Sequence, residues 1–118
     1  MVGDRWSLLI VRDILFKGFR TFREFLAAGE GIATNILSDR LRKLEETGIL
    51  VSAGGADGRT VVYRLTEKGL DLAPALIEMI LWSDRYQETA APPATIREMR
   101  ADRDAYVATL RRRAMSVR

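Results

Sequence analysis

Residues 33–47, Ala33-Thr-Asn-Ile-Leu-Ser-Asp-Arg-Leu-Arg-Lys-Leu-Glu-Glu-Thr47, constrain the fold of this 118-residue chain more than any other stretch. At about 100° per residue, Leu37, Leu41 and Leu44 fall within an arc of roughly 60°, which predicts a helix with one core-facing stripe. Asn35, Ser38, Asp39 and Arg42 point the other way, with Thr34, Arg40 and Lys43 on the flanks. Amides, hydroxyls and guanidinium groups are the side chains that hydrogen-bond base edges and phosphates in a major groove. Gly48 then ends the helix, because glycine adopts the left-handed C′ conformation without a Cβ clash.

The flanking segments give this helix a context. Thr21-Phe-Arg-Glu24 has the spacing of a capping box and starts a short helix that Gly29 and Gly31 end. Two helices joined by a few glycine-containing residues form a helix-turn-helix arrangement. After Gly48 come two extended runs, Ile49 to Ala53 and Thr60 to Leu65, the second placing Val61, Tyr63 and Leu65 on one face. The glycine-rich segment 54–58 between them reads as a flexible tip with Arg59 at its edge. A hairpin in this position reads as a wing, whose arginine can enter the negative potential of a minor groove. The fold class is therefore mainly α with a small β-hairpin: a winged helix-turn-helix with flanking helices.

The ends are read similarly. Asp4 is a candidate N-cap for a first helix running to Leu15, apolar on more than one face and so covered on two sides, either within its own domain or by a second subunit. Thr66 caps a long helix carrying Leu70, Ala73, Leu76, Ile77, Ile80 and Leu81, in which Pro74 predicts a kink. Thr95-Ile-Arg-Glu98 is a second capping box, expected to start one last helix with Ile96, Met99, Tyr106 and Leu110 near a heptad seam. That helix is too polar to stand alone. It is expected to pair across a dimer or to fold back on the first helix. Arg111 to Arg113 are read as a solvated helix end or as contacts to phosphates or acidic partners.

Composition narrows the function classes. The sequence has no cysteine and no histidine, which excludes disulfides, thiol-based sensing and the usual nitrogen ligand or general base within these residues. No P-loop, Gly-x-Ser-x-Gly or nucleotide fingerprint occurs, so neither enzyme activity nor a cofactor or metal is expected. No apolar run approaches a membrane span and no signal peptide is apparent, so a cytoplasmic location is expected. The net charge of +3 suits a polyanionic partner, but the excess is C-terminal, since residues 92–118 hold seven arginines and residues 70–91 are acidic.

The run Gly3-Asp4-Arg5-Trp6 through Leu15 resembles the start of the HxlR-type helix-turn-helix family, a relative of the MarR regulators. So do Phe22 to Phe25, Gly31 to Leu44 with Gly48-Ile49-Leu50, and Tyr63-Arg64-Leu65-Thr66-Glu67-Lys68-Gly69. The resemblance implies a transcription regulator binding an inverted-repeat operator in double-stranded DNA as a homodimer, with helix 33–47 in the major groove and wing 54–59 beside it. Residues 1–89 would form the DNA-binding domain and residues 90–118 a C-terminal dimerisation helix. Thr34, Asn35, Ser38 and Arg42 are assigned to the groove, with Asn35 suited to adenine and Arg42 to guanine. Arg40 and Lys43 are assigned to phosphates and Arg59 to the wing contact, with Arg20, Arg23 and Lys68 as secondary backbone candidates. Arg40 is alternatively a structural ion-pair residue, partnered for example by Glu24 or Glu45. Two departures stand out. The chain begins almost at the Gly3-Asp4-Arg5-Trp6 motif, where family members carry a further segment, often with a cysteine; this leaves open a truncated N-terminus and an incomplete dimer interface. A long helix also follows Pro93, beyond the core pattern. The alternatives are a non-enzymatic protein-interaction module on the same scaffold, and a small-molecule effector pocket among Trp6, Phe16, Trp82 and Tyr86.

Overall fold

Helix α1 (Arg5–Arg12) passes directly into a π-helical turn, Asp13–Lys17. The computed structural model describes residues 5–28, 31–86 and 92–115; the expected cap at Asp4 lies outside them. The wide turn buries three successive residues, Asp13, Ile14 and Leu15, and closes at Gly18, whose φ of 73° is the left-handed conformation glycine tolerates. The buried Asp13 carboxylate accepts from Arg12 at 2.7 Å and lies 3.7 Å from the Lys17 ammonium. The two-sided apolar character of this segment is met within the chain, as α1 packs on the third helix and the π turn on the last.

The capping box forms as the spacing predicts. Thr21 Oγ1 accepts from the Glu24 amide, and Glu24 accepts from the amides of Thr21 and Arg20, starting α2 (Phe22–Leu26). Helix α3 (Thr34–Glu46) follows, with Leu37, Leu41 and Leu44 buried as one stripe. Arg20 belongs to the scaffold. The residue is 6% exposed, its guanidinium donates to the carbonyls of Ile14 and Phe19, and its own carbonyl accepts from the Tyr63 amide at 2.8 Å. Burial lowers its pKa, the charge of Glu24 opposes this, and Arg64 adds to it. Arg20 is thus unavailable to a DNA backbone, a role its charge alone suggests.

At the end of α3, the Ile49 amide bonds to the Leu44 carbonyl and the Gly48 amide to that of Glu45, with Gly48 at φ 81°: a Schellman turn. It delivers the chain into β1 (Leu50–Gly54), paired antiparallel with β2 (Val61–Leu65) in the register Leu50 to Leu65 through Gly54 to Val61. Thr66 then caps α4 (Glu67–Leu70) through the Gly69 amide, while its backbone amide and hydroxyl donate to the carbonyls of Ile49 and Gly48. Lys68 Nζ donates to the Thr47 carbonyl at 2.6 Å. This lysine therefore closes a helix end.

The kink expected at Pro74 is a full break. Helix α4 stops at Leu70 and α5 (Ala73–Tyr86) begins one residue before the proline. Pro74 offers no amide to the Leu70 carbonyl and its ring would collide with it, so one rod becomes two. The last helix is also two helices, α6 (Pro93–Ala101) and α7 (Arg103–Met115). Pro92 and Pro93 set the start of α6, since proline suits the first helical position, and the capping box at Thr95 to Glu98 does not form a cap. Asp102, extended at φ −159° and ψ 97°, ends α6 and caps α7 by accepting from the Ala105 amide. Both helices fold back on the chain itself. Ile96, Met99, Tyr106, Leu110 and Ala114 are buried, and Arg100 pairs with Asp84, Arg103 with Glu78, and Arg111 with Glu67 and Asp71. No helix among the described residues is long and apolar enough to cross a membrane.

Gly69 is the tightest point of this assembly. A Cβ there would stand 2.5 Å from the Ile49 carbonyl oxygen and 2.8 Å from Leu65 Cδ2. Gly69→Ala is expected to destabilise the fold by about 1–3 kcal/mol through overpacking, read as a lower urea midpoint. Gly54→Ala, which meets open space, should stay within about 0.5 kcal/mol.

Candidate nucleic-acid interface

The outward face of α3 is polar from end to end. Thr34, Asn35, Ser38, Arg42 and Lys43 are exposed, Arg40 is half-buried, and no large exposed apolar side chain stands among them. The structure thus brings all six helix residues singled out from the sequence onto one accessible helix. Ala33, extended at φ −75° and ψ 148°, supplies no side-chain cap, which leaves the first turn with Thr34 and Asn35 open.

The cations of this face are engaged within the helix. Asp39 receives Arg42 at 2.5 Å, Arg40 at 2.5 Å and Lys43 at 3.4 Å, and Arg42 also reaches Glu46 at 3.0 Å. Partial desolvation pushes the Asp39 carboxyl up, but the hydrogen bonds and charges of Arg42 and Lys43 outweigh it and hold the group below its ordinary value. Hydrogen bonds to Glu46 and then Asp39 raise the Arg42 pKa. The sequence reading placed Asp39 on this face without giving it a role; the spacings Asp39 to Arg42 and Asp39 to Lys43, i to i+3 and i+4, are the signal.

The hairpin is tied to the helix and its tip is braced. Ser52 Oγ donates to Glu45 at 2.7 Å, linking β1 to α3. At the tip, Asp57 accepts from the amides of Arg59 and Thr60 at 2.9 and 2.8 Å and from the Thr60 hydroxyl at 2.6 Å. The segment expected to be flexible is therefore an ordered turn, because an aspartate two and three residues ahead of free amides closes on them. Arg59 is exposed and makes no ion pair among the described residues, and the same holds for Arg23 and for Arg64. Arg64 was not singled out from the sequence, although period-two alternation puts it opposite Tyr63 and Leu65, on the outer face of β2.

The four aromatics considered as an effector pocket do not converge. Trp6 lines a shallow recess with Asp13, Phe25, Ile32 and Leu37. Phe16 stacks near Tyr106 at 6.5 Å, and Trp82 and Tyr86 stand exposed beside each other on α5 at 5.4 Å. Among the described residues no cluster of three or more His, Cys, Asp or Glu side chains could hold a metal ion.

The hydrogen bonds from Thr60 and Arg59 lower the Asp57 carboxyl from 3.8 to about 2. A depressed carboxylate pKa contributes order that is fully present above the unfolded value and lost as pH falls through the folded one. The wing tip should keep its turn at pH 4 and lose it as pH approaches 2, followed by the amide resonances of Arg59 and Thr60. A titration midpoint near 3.8 would contradict the brace.

Comparison with known proteins gives the geometry its relatives. The chain is 40% identical over 99 residues to an HTH-type transcriptional regulator of Mycobacterium tuberculosis, covering 82% of this chain and 61% of that protein. It therefore spans about 61% of the length of such relatives. The HTH-type transcriptional regulator YodB of Bacillus subtilis is 33% identical over 89 residues, 75% of this chain and 79% of YodB. Its reduced form superposes with a TM-score of 0.61 over 74% of this chain and 85% of that one. The crystal structure of PA1607 matches at 42% identity and a TM-score of 0.68, over 77% of this chain and 63% of that one. The family model of the HxlR-like helix-turn-helix matches residues 1–91, so the chain belongs to that family.

Proposed function

We propose that this chain binds double-stranded DNA as a homodimeric transcription regulator on an inverted-repeat operator, acting in the cytoplasm. The observation that carries the reading is α3 itself: one face wholly buried through Leu37, Leu41 and Leu44, the other exposing Thr34, Asn35, Ser38 and Arg42. In the major groove these four reach base edges, with Asn35 suited to adenine and Arg42 to guanine, while Arg40 and Lys43 face phosphates. Arg59 on the braced wing makes the neighbouring contact, and Arg64 and Arg23, which make no ion pair among the described residues, add to the backbone set. Residues 1–89 act as the DNA-binding unit. A second copy is brought against residues 90–118 and the neighbouring exposed side of α5, where Met79, Trp82 and Tyr86 recur at helical spacing. The small hydrogen-bonding groups of α3 favour nucleic acid over a protein partner, which would find no large apolar group there to bury.

The direct test is selection of bound duplexes from a randomised pool, with the mass of the bound species recorded. Enrichment of an inverted repeat with half-sites roughly 34–36 Å apart, by a two-chain species, is the expected result. Binding with no enriched sequence, or no binding, refutes the reading. On the enriched duplex, Arg42→Ala should cost about 1–3 kcal/mol and relax one position, whereas Lys43→Ala should weaken that duplex and its single-base variants alike. Identical behaviour of the two variants would refute the division between base and phosphate contacts.

A further inference from the structure

The cations that α3 would bring to DNA are already paired within the helix in the free chain. Arg40, Arg42 and Lys43 all close on one carboxylate, Asp39, and Arg42 on Glu46 as well. Asp39 stands near the middle of the helix, with its side chain 34% exposed, so a duplex laid on this face meets its negative charge together with the three positive ones. The wing differs: Arg59, and Arg64 on β2, make no ion pair among the described residues. The chain thus holds two kinds of cation, ready ones on the hairpin and internally neutralised ones on α3.

We propose that Asp39 is a specificity-determining residue, whose ion pairs withhold Arg40, Arg42 and Lys43 from generic phosphate contact and release them only on a duplex that satisfies Asp39 itself. The inference rests on the DNA-binding reading above. On random DNA, moving a guanidinium from Asp39 to a phosphate exchanges one charge-assisted hydrogen bond for another and leaves the carboxylate unpaired beside a polyanion. Little is gained, so non-specific binding falls to the hairpin arginines. A duplex with a base amino group at the right step changes the balance. Cytosine N4 donates to a carboxylate in the major groove, so Asp39 keeps a partner while its cations move to phosphates and to guanine. The same carboxylate then penalises the wrong sequence and reads the right one.

The test compares Asp39→Asn with the unaltered chain on the enriched duplex and on a random duplex, each at two salt concentrations. Asparagine keeps the size and loses the charge. Its random-duplex affinity should rise about tenfold, with a salt slope steeper by about one charge. Affinity for the enriched duplex should rise less or fall, so that the ratio between the two drops by about tenfold or more. Glu46→Gln, which leaves Asp39 holding all three cations, should stay within about threefold on random DNA. A ratio unchanged by Asp39→Asn, or an equal effect of Glu46→Gln, overturns the proposal while leaving the DNA-binding reading intact. An unaltered chain that binds no duplex overturns both. Matching thermal unfolding of the two variants excludes loss of fold as the source of any difference.

Discussion

Where α3 ends, five backbone carbonyls decide the shape of everything after it. The Schellman turn satisfies Leu44 and Glu45, and Thr66 and Lys68, the cap and second residue of α4, supply donors for Thr47, Gly48 and Ile49. Carbonyls at a helix end have no partner within the helix and take their donors from elsewhere. Here the partners come from residues that lie beyond the hairpin, so the helix end is complete only when β1 and β2 have returned the chain. The close seat of Gly69 on Ile49 makes that return exact to within a methyl group. Hairpin position, α4 and the tilt of the outward face of α3 follow from this one junction.

Much of this was legible because the signals are local. The stripe of Leu37, Leu41 and Leu44, the box from Thr21 to Glu24, the cap at Thr66 and the stop at Gly48 each involve residues within a turn of one another, and all appear as read. The outward-facing residues of α3 followed from the same periodicity. What was not legible depended on competition or distance. The box from Thr95 to Glu98 lost to two prolines just upstream, which had already set where the helix begins. Arg20 and Lys68 look like surface cations in a linear reading; only the folded chain shows the carbonyls that claim them, six residues away for Arg20 and 21 for Lys68. Asp57 was hidden differently, since a glycine-rich segment suggests freedom until one carboxylate is seen to gather its amides.

The uneven charge distribution also acquires a cause. Acidic residues 67–84 and the arginines of 100–111 are separated in sequence and meet in space, pairing Asp84 with Arg100, Glu78 with Arg103, and Glu67 and Asp71 with Arg111. Such exposed pairs each contribute little to stability. Their value is in register. Two short amphipathic helices have several ways to lie on α5, and opposite charges along the contact favour one of them while burying Ile96, Met99, Tyr106 and Leu110 supplies the energy. Three arginines of the basic C-terminal segment are thereby paired within the chain, whereas Arg59 and Arg64 of the hairpin and Arg23 of α2 make no ion pair among the described residues.

Helix α4 is only four residues long, yet it is gripped from both sides. Arg111 of α7 holds Glu67 and, one turn on, Asp71, while Thr66 and Lys68 hold the last carbonyls of α3 and the start of β1. A segment so short cannot bend to absorb strain. It is the short element through which side-chain contacts join α7 to the end of the outward-facing helix.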